Sequence, residues 1–130
     1  MKATDNPEKM LPLSPAVFQI LLALADSERH GYSIMREIEQ QTGGQMRIGA
    51  TTLYRSIKQM LEAGLIAEVA ERPDPALDDE RRRYYRLTSL GQQVASAEAR
   101  RLEQALNVAR HKSLLSGLLV PQAEEGSLDA

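Results

Sequence analysis

Cysteine and tryptophan are absent from the 130 residues, phenylalanine occurs once, and aromatic side chains make up only 4% of the chain. Without cysteine there is no disulfide, no thiolate nucleophile and no sulfur-ligated metal, a composition in keeping with a reducing cytoplasm. The two histidines, His30 and His111, lie far apart in sequence, so a His-rich metal centre is not available. Long apolar runs are missing too: the longest, residues 16–25, is interrupted by Gln19 and is too short to span a bilayer. Residues 1–11 hold no apolar stretch of signal-peptide length. The expectation is a soluble, unexported, cytoplasmic protein with no membrane partner.

What is present is ordinary hydrophobic content, 42%, carried by Leu, Ile, Val, Ala and Met, which must build the core. At about 100 to 200 residues per domain this is one domain. The formal charge of −2 argues against nucleic acid only if charge is spread evenly, and it is not. Residues 45–61 contain Arg47, Arg55 and Lys58 and no acid. Residues 71–80 hold five acids against Arg72, and Arg81, Arg82, Arg83 and Arg86 follow directly.

The order of elements can be read from periodicity. Residues 1–12 show no period and read as a flexible lead-in. Ser14-Pro15 is a strong helix start, followed by Val17, Ile20, Leu21 and Leu24 at helical spacing. Asp26 to Arg29 reads as a polar connection. A second helix begins near Gly31, with Ile34, Met35 and Ile38 on one side, and Gly43-Gly44 ends it. A third starts around Gly49 or Ala50, with Leu53, Ile57, Met60 and Leu61 apolar. Gly64 ends this helix, and Leu65 packing back on Met60 predicts a Schellman ending.

Leu65, Ala67 and Val69 alternate and predict a strand over residues 65–71. Residues 72–79 form a loop, and residues 81–87 a second strand with Tyr85 and Leu87 on one face, so the two strands make a hairpin. Thr88 caps a last helix running from Ser89 to about Leu115. In that helix Ala95, Ala99, Leu102, Leu106 and Ala109 are spaced 4, 3, 4, 3, the seam spacing of paired helices, and they are the expected dimer interface.

Three helices, a hairpin and a trailing helix are the element order of a winged helix-turn-helix, so the fold expected is mainly α with a small β-hairpin. Its divisions are a lead-in (1–12), a winged domain (13–88), a C-terminal dimerisation helix (89–118) and an acidic flexible tail (119–130). In such a domain the third helix enters the major groove. Its outer side here displays Thr51, Thr52, Tyr54, Arg55, Ser56, Lys58 and Gln59, all hydrogen-bonding groups and no carboxylate. Arg55 suits a guanine edge, Thr51 and Thr52 a phosphate or a thymine methyl, and Lys58 a phosphate.

Four motifs in order make this more specific: His30-Gly31-Tyr32, Thr52-Leu53-Tyr54-Arg55, Leu61 to Ile66, and Arg83-Tyr84-Tyr85-Arg86-Leu87-Thr88 with Gly91. At these spacings, over residues 13–99, the chain resembles the PadR family of bacterial transcriptional regulators, in its short class. The resemblance implies a dimeric repressor on a palindromic operator, with double-stranded DNA, a second copy of itself and a small apolar or aromatic effector as partners.

Each residue has a plainer alternative. Tyr32 meets a phosphate or packs beneath helix three, and Tyr54 stacks near the DNA backbone or is half-buried. Arg81, Arg82 and Arg83 clamp the flanking backbone or neutralise the acids at 78–80. His30 reads as a helix cap or packing residue, and Tyr85 as core. Ala95, Ala99 and Ala109 leave either a tight seam or an apolar hollow. The competing function is a winged-helix protein-interaction module. Catalysis, a metal and a cofactor are not expected, since no phosphate-cradling Gly motif and no Ser-His-Asp set is present.

Overall fold

Ser14 and Pro15 start the first helix as the sequence predicts. In the computed structural model, which describes residues 6–69 and 83–115, helix α1 runs Pro15–Ala23. The Ser14 hydroxyl accepts from the Val17 N–H at 3.2 Å, and Pro15 sits where no donor is needed. Ile20, Leu21 and Ala23 are buried. The residues before α1 are not featureless: Pro7–Met10 form a 3-10 turn capped by the Asn6 side chain, and Met10, Leu11 and Leu13 pack against the core.

The connection after α1 differs from expectation, because Arg29–His30 form a short strand, β1. Arg29 explains why the chain straightens there. Its Nε donates to the Ala23 carbonyl at 2.7 Å, one terminal nitrogen donates to the Ser33 hydroxyl at 3.2 Å, and the other lies 3.4 Å from Asp26 and 3.5 Å from Glu37. One guanidinium thus satisfies an orphan carbonyl at the end of α1 and ties it to helix α2, Gly31–Gln41.

Both helix ends read from glycine are Schellman endings. In α2 the N–H groups of Gly43 and Gly44 donate to the carbonyls of Gln40 and Glu39, with both glycines at positive φ. In α3, Ala50–Glu62, the Gly64 and Leu65 N–H groups donate to Leu61 and Met60 in the same way, and Leu65 and Met60 join the same core.

The strands form one antiparallel sheet in the order β1-β3-β2, with β2 at Ile66–Glu68 and β3 at Tyr84–Leu87. Ile66 pairs with Leu87, Ala67 with Arg86 and Glu68 with Tyr85. The alternation of Leu65, Ala67 and Val69 is corrected here. Leu65 is used by the helix ending, β2 begins one residue later, and it is Ile66 that is buried while Ala67 is half-buried. Tyr85 is core, at 5% exposure. Buried side chains of α1, α2, α3, β2 and β3, with Val94, make one cluster.

Helix α4 spans Ser89–His111, ending before the expected Leu115. The Thr88 hydroxyl accepts from the Gly91 N–H and donates to the Gly64 carbonyl, so one residue caps α4 and fastens it to the end of α3. By contacts the chain divides into two units, residues 1–98 and 99–130. In the first, Gly91, Val94, Ala97 and Glu98 of α4 are buried. In the second, residues 99–108 are exposed throughout, and α4 stops where Ser113 adopts a positive φ of 63° and Leu114 donates to the Ala109 carbonyl.

Gly91 is the tightest point. A β-carbon there would stand 2.0 Å from the Leu65 carbonyl oxygen and 3.0 Å from its carbon, backbone atoms that cannot swing aside. Gly91→Ala is expected to cost about 3 kcal/mol by overpacking, read as a lowered denaturant midpoint at unchanged slope. Gly49→Ser, where a β-carbon meets nothing within 4 Å, is expected to leave the midpoint in place or raise it.

Candidate nucleic-acid interface

The side of α3 away from the core is polar because the helix spends its apolar residues on one arc. Leu53, Ser56, Ile57 and Met60 are buried, and Thr51, Thr52, Arg55, Lys58 and Gln59 are exposed. At about 100° per residue these five fall within roughly 120° of helix surface. The first carboxylate on that side is Glu62, the last residue of the helix. Ser56 is a correction: expected on the display side, it is 8% exposed and faces inward, since its direction on the helix is about 40° from that of Met60 and about 60° from that of Leu53.

Around this arc the other expected residues divide. Tyr32, in the first turn of α2, is 52% exposed, so the packed alternative is excluded for it. Tyr54 is half-buried and packs against the core, its ring standing over Gly31: a β-carbon on Gly31 would lie 2.2 Å from the Tyr54 hydroxyl oxygen and 2.8 Å from the ring carbon bearing it. Two of the four sequence motifs therefore meet at this point. Arg47, just before α3, is exposed, and its Nε lies 2.8 Å from the Glu39 carboxylate on α2. Arg83 pairs with Glu68 across the sheet at 3.4 Å. Arg81 and Arg82, and the acids at 78–80, lie outside the described residues.

The expected seam on α4 is also split. Ala95 packs against the core of its own chain. Ala99, Leu102 and Leu106 are exposed and Ala109 is half-buried, with Leu102 and Leu106 at 40% and 41%. Leucines of such exposure on one helical stripe are a surface that the described residues do not cover.

Residues 20–97, more than half of the chain, match the family described as the transcriptional regulator PadR-like family. The chain belongs to the PadR-like family. Membership makes it a regulator of transcription by family and not an enzyme. An uncharacterized protein of Lysinibacillus sphaericus is 38% identical over 77 residues, 59% of this chain and 68% of that one. A transcriptional regulator from Clostridium thermocellum shares 25% identity at a TM-score of 0.60, over 73% of this chain and 89% of that one. Bacillus subtilis PadR, solved in complex with operator DNA, shares 20% identity at a TM-score of 0.54, over 65% of this chain and 46% of that one. The mainly α fold with a small antiparallel sheet is that of PadR winged-helix regulators.

Sequence reasoning missed the acids that hold the basic residues of this PadR-like chain: Glu39 for Arg47 and Glu68 for Arg83. The Glu68–Arg83 pair depends on the register of β2 against β3, partners fifteen residues apart in sequence, which no local signal reveals. The Tyr54–Gly31 contact was likewise invisible, although a glycine opening a helix beside a downstream tyrosine is its trace. Gly31→Ala is expected to cost about 1 to 3 kcal/mol by displacing the Tyr54 ring. In a double-mutant cycle with Tyr54→Ala the loss should shrink, since the ring that collides is gone. Additive losses in thermal melts would remove the contact as the cause.

Proposed function

We propose that this PadR-like protein is a homodimeric, sequence-specific repressor that acts in the cytoplasm on a palindromic operator and is released by a small apolar or aromatic effector. The exposed arc of α3, which carries Arg55 and Lys58 and meets no carboxylate until Glu62 at the last residue of the helix, is the observation that carries the reading. Phosphates repel carboxylates and reward Arg and Lys, and an arc of about 120° is what a helix lying in a groove presents. Arg55, with its planar fork, reads a guanine edge, while Thr51 and Thr52 serve a phosphate or a thymine methyl and Lys58 a phosphate.

Tyr32 and Arg47 flank this arc and contact the backbone, Tyr54 braces the helix from its half-buried position, and Arg83, just before β3, grips a flanking phosphate together with Arg81 and Arg82. The operator DNA bound by Bacillus subtilis PadR, a protein of the same fold, supports a duplex as the partner.

Dimerisation follows from the uncovered stripe of α4. Ala99, Leu102, Leu106 and Ala109 provide small and branched residues at seam spacing, and a second copy of the helix covers them. On a palindromic operator two copies of α3 would meet successive major grooves about 34 to 36 Å apart, one turn of duplex.

Capture of the DNA bound in cells identifies the operator, and duplex binding at several salt concentrations then tests the roles. Arg55→Ala is expected to cost about 1 to 3 kcal/mol on the operator and little on random duplex; Lys58→Ala should weaken both alike and lower the salt slope by about 1. Equal losses from Arg55→Ala on both duplexes would remove its base-reading role. Leu106→Glu, which places a charge on the seam, is expected to yield a folded monomer by sedimentation equilibrium. A dimer of undiminished strength would move the interface elsewhere.

A further inference from the structure

His30 stands where three elements meet. It is the last residue of β1, and its Cα partner in β3 is Tyr84. Its Nδ1 accepts a hydrogen bond from the Ser33 N–H at 3.2 Å and so caps α2. Its ring stands edge-on to that of Tyr84, with 5.2 Å between centroids and 88° between planes. The next residue, Gly31, lies beneath the Tyr54 ring of α3. We propose that neutral His30 is a positioning residue for DNA binding: it keeps the α2–α3 pair in place against β3, and its protonation weakens binding to duplex DNA. This rests on the regulator reading above.

The chemistry is one of donors and acceptors. To accept from Ser33, Nδ1 must carry a lone pair, so the ring hydrogen resides on Nε2. A proton added to Nδ1 turns that acceptor into a donor facing another donor. It also sets a cation at the helix end that carries the positive pole of the backbone dipoles. Both effects oppose the cap. The cap is the interaction that needs the Nδ1 lone pair, so the cap is what gives way. Its loss loosens the first turn of α2, where Gly31 receives Tyr54 and through it the start of α3.

The ionisable groups on the surrounding elements are Glu28 and Arg29 on the approach, Tyr32, Arg36, Glu37 and Glu39 on α2, Tyr54, Arg55 and Lys58 on α3, and Arg83, Tyr84, Tyr85 and Arg86 on or beside β3. Arg29 is engaged by Ala23, Asp26 and Glu37, Arg47 by Glu39, and Arg83 by Glu68. Of these side-chain types only imidazole ordinarily titrates near neutrality, at about 6.5. The sign of the effect is diagnostic. Positive charge added by acid strengthens phosphate binding in general, whereas the His30 device works against it.

The test is affinity for the captured operator at constant ionic strength from about pH 8 to about pH 5.5, for the full-length protein and for His30→Asn. Asparagine caps a helix and does not titrate. The wild type is expected to lose roughly tenfold in affinity across this range, while His30→Asn stays flat. Wild-type affinity that holds or rises with acid, or an equal fall in His30→Asn, overturns the inference and leaves the regulator reading intact. No binding at about pH 8 overturns the regulator reading, and this inference with it. Nitrogen-15 resonances of the wild-type imidazole give a check that needs neither DNA nor a variant: an unprotonated Nδ1 at about pH 8 is expected, and a proton on Nδ1 there ends the proposal.

Discussion

At Gly91 the backbone of α4 comes against the Leu65 carbonyl so closely that no β-carbon fits between them, and the placement of α3 depends on that approach. Leu65 is the residue that closes the α3 Schellman ending. Thr88 bonds the Gly64 carbonyl next to it, and the Thr88 N–H donates to the Leu65 carbonyl at 3.1 Å. The last turn of α3, the entry to β2 and the first turn of α4 therefore share one set of backbone bonds. At the other end, the absent side chain of Gly31 leaves room for Tyr54. A helix clamped at both ends by backbone approaches is held in angle as well as depth, because close-packed contacts of this kind do not deform gradually. The four motifs at residues 30–32, 52–55, 61–66 and 83–91 are thus two pairs of touching parts.

This explains how much of the fold the sequence discloses. Helix starts and ends that rest on local chemistry were legible: Ser14-Pro15, Gly43-Gly44, Gly64 and Thr88 each satisfy backbone groups within a few residues, and each does so as expected. What depends on distant partners was not. β1 exists because Arg29 and His30 find Tyr85 and Tyr84 more than fifty residues on, and the ordered Pro7–Met10 turn exists because Met10 and Leu11 find the core. The end of α4 lacks the usual glycine; Ser113 takes the left-handed conformation there instead, so the stop left no mark. On α3 the period separated inside from outside correctly except at Tyr54, which is half-buried against the core, and at Ser56, a small polar residue that fits a buried position without a large desolvation cost when its hydroxyl can turn to a nearby carbonyl.

Glu98 shows the same division between local and distant logic on α4. It is a carboxylate at 2% exposure on a helix whose next residues are all exposed, and its oxygen accepts from the Leu13 N–H at 3.2 Å. That N–H belongs to the residue before the α1 cap, so the bond joins the entry of the first helix to the last helix in the same core. Burying an acid is unfavourable unless it is hydrogen-bonded. The interaction therefore ties the position of residues 10–13 to α4 and accounts for their packing where composition alone indicated a free segment.

The net charge of −2 is the strongest single argument against a duplex partner, and distance answers it. At physiological ionic strength exposed charges are screened beyond about 8 Å, so what a phosphate experiences is set by its neighbours and not by the total. The charged neighbours on the exposed arc of α3 are Arg55 and Lys58, with Glu62 at its C-terminal end. Of the nearby acids, Glu39 and Glu68 already face Arg47 and Arg83. An exposed ion pair of this kind contributes little to stability, about 0 to 1 kcal/mol, but it has a second consequence. A carboxylate already facing an arginine adds little net repulsion, and the arginine can exchange that partner for a phosphate at small cost. The acids of the described chain near α3 thus temper the basic surface without cancelling it.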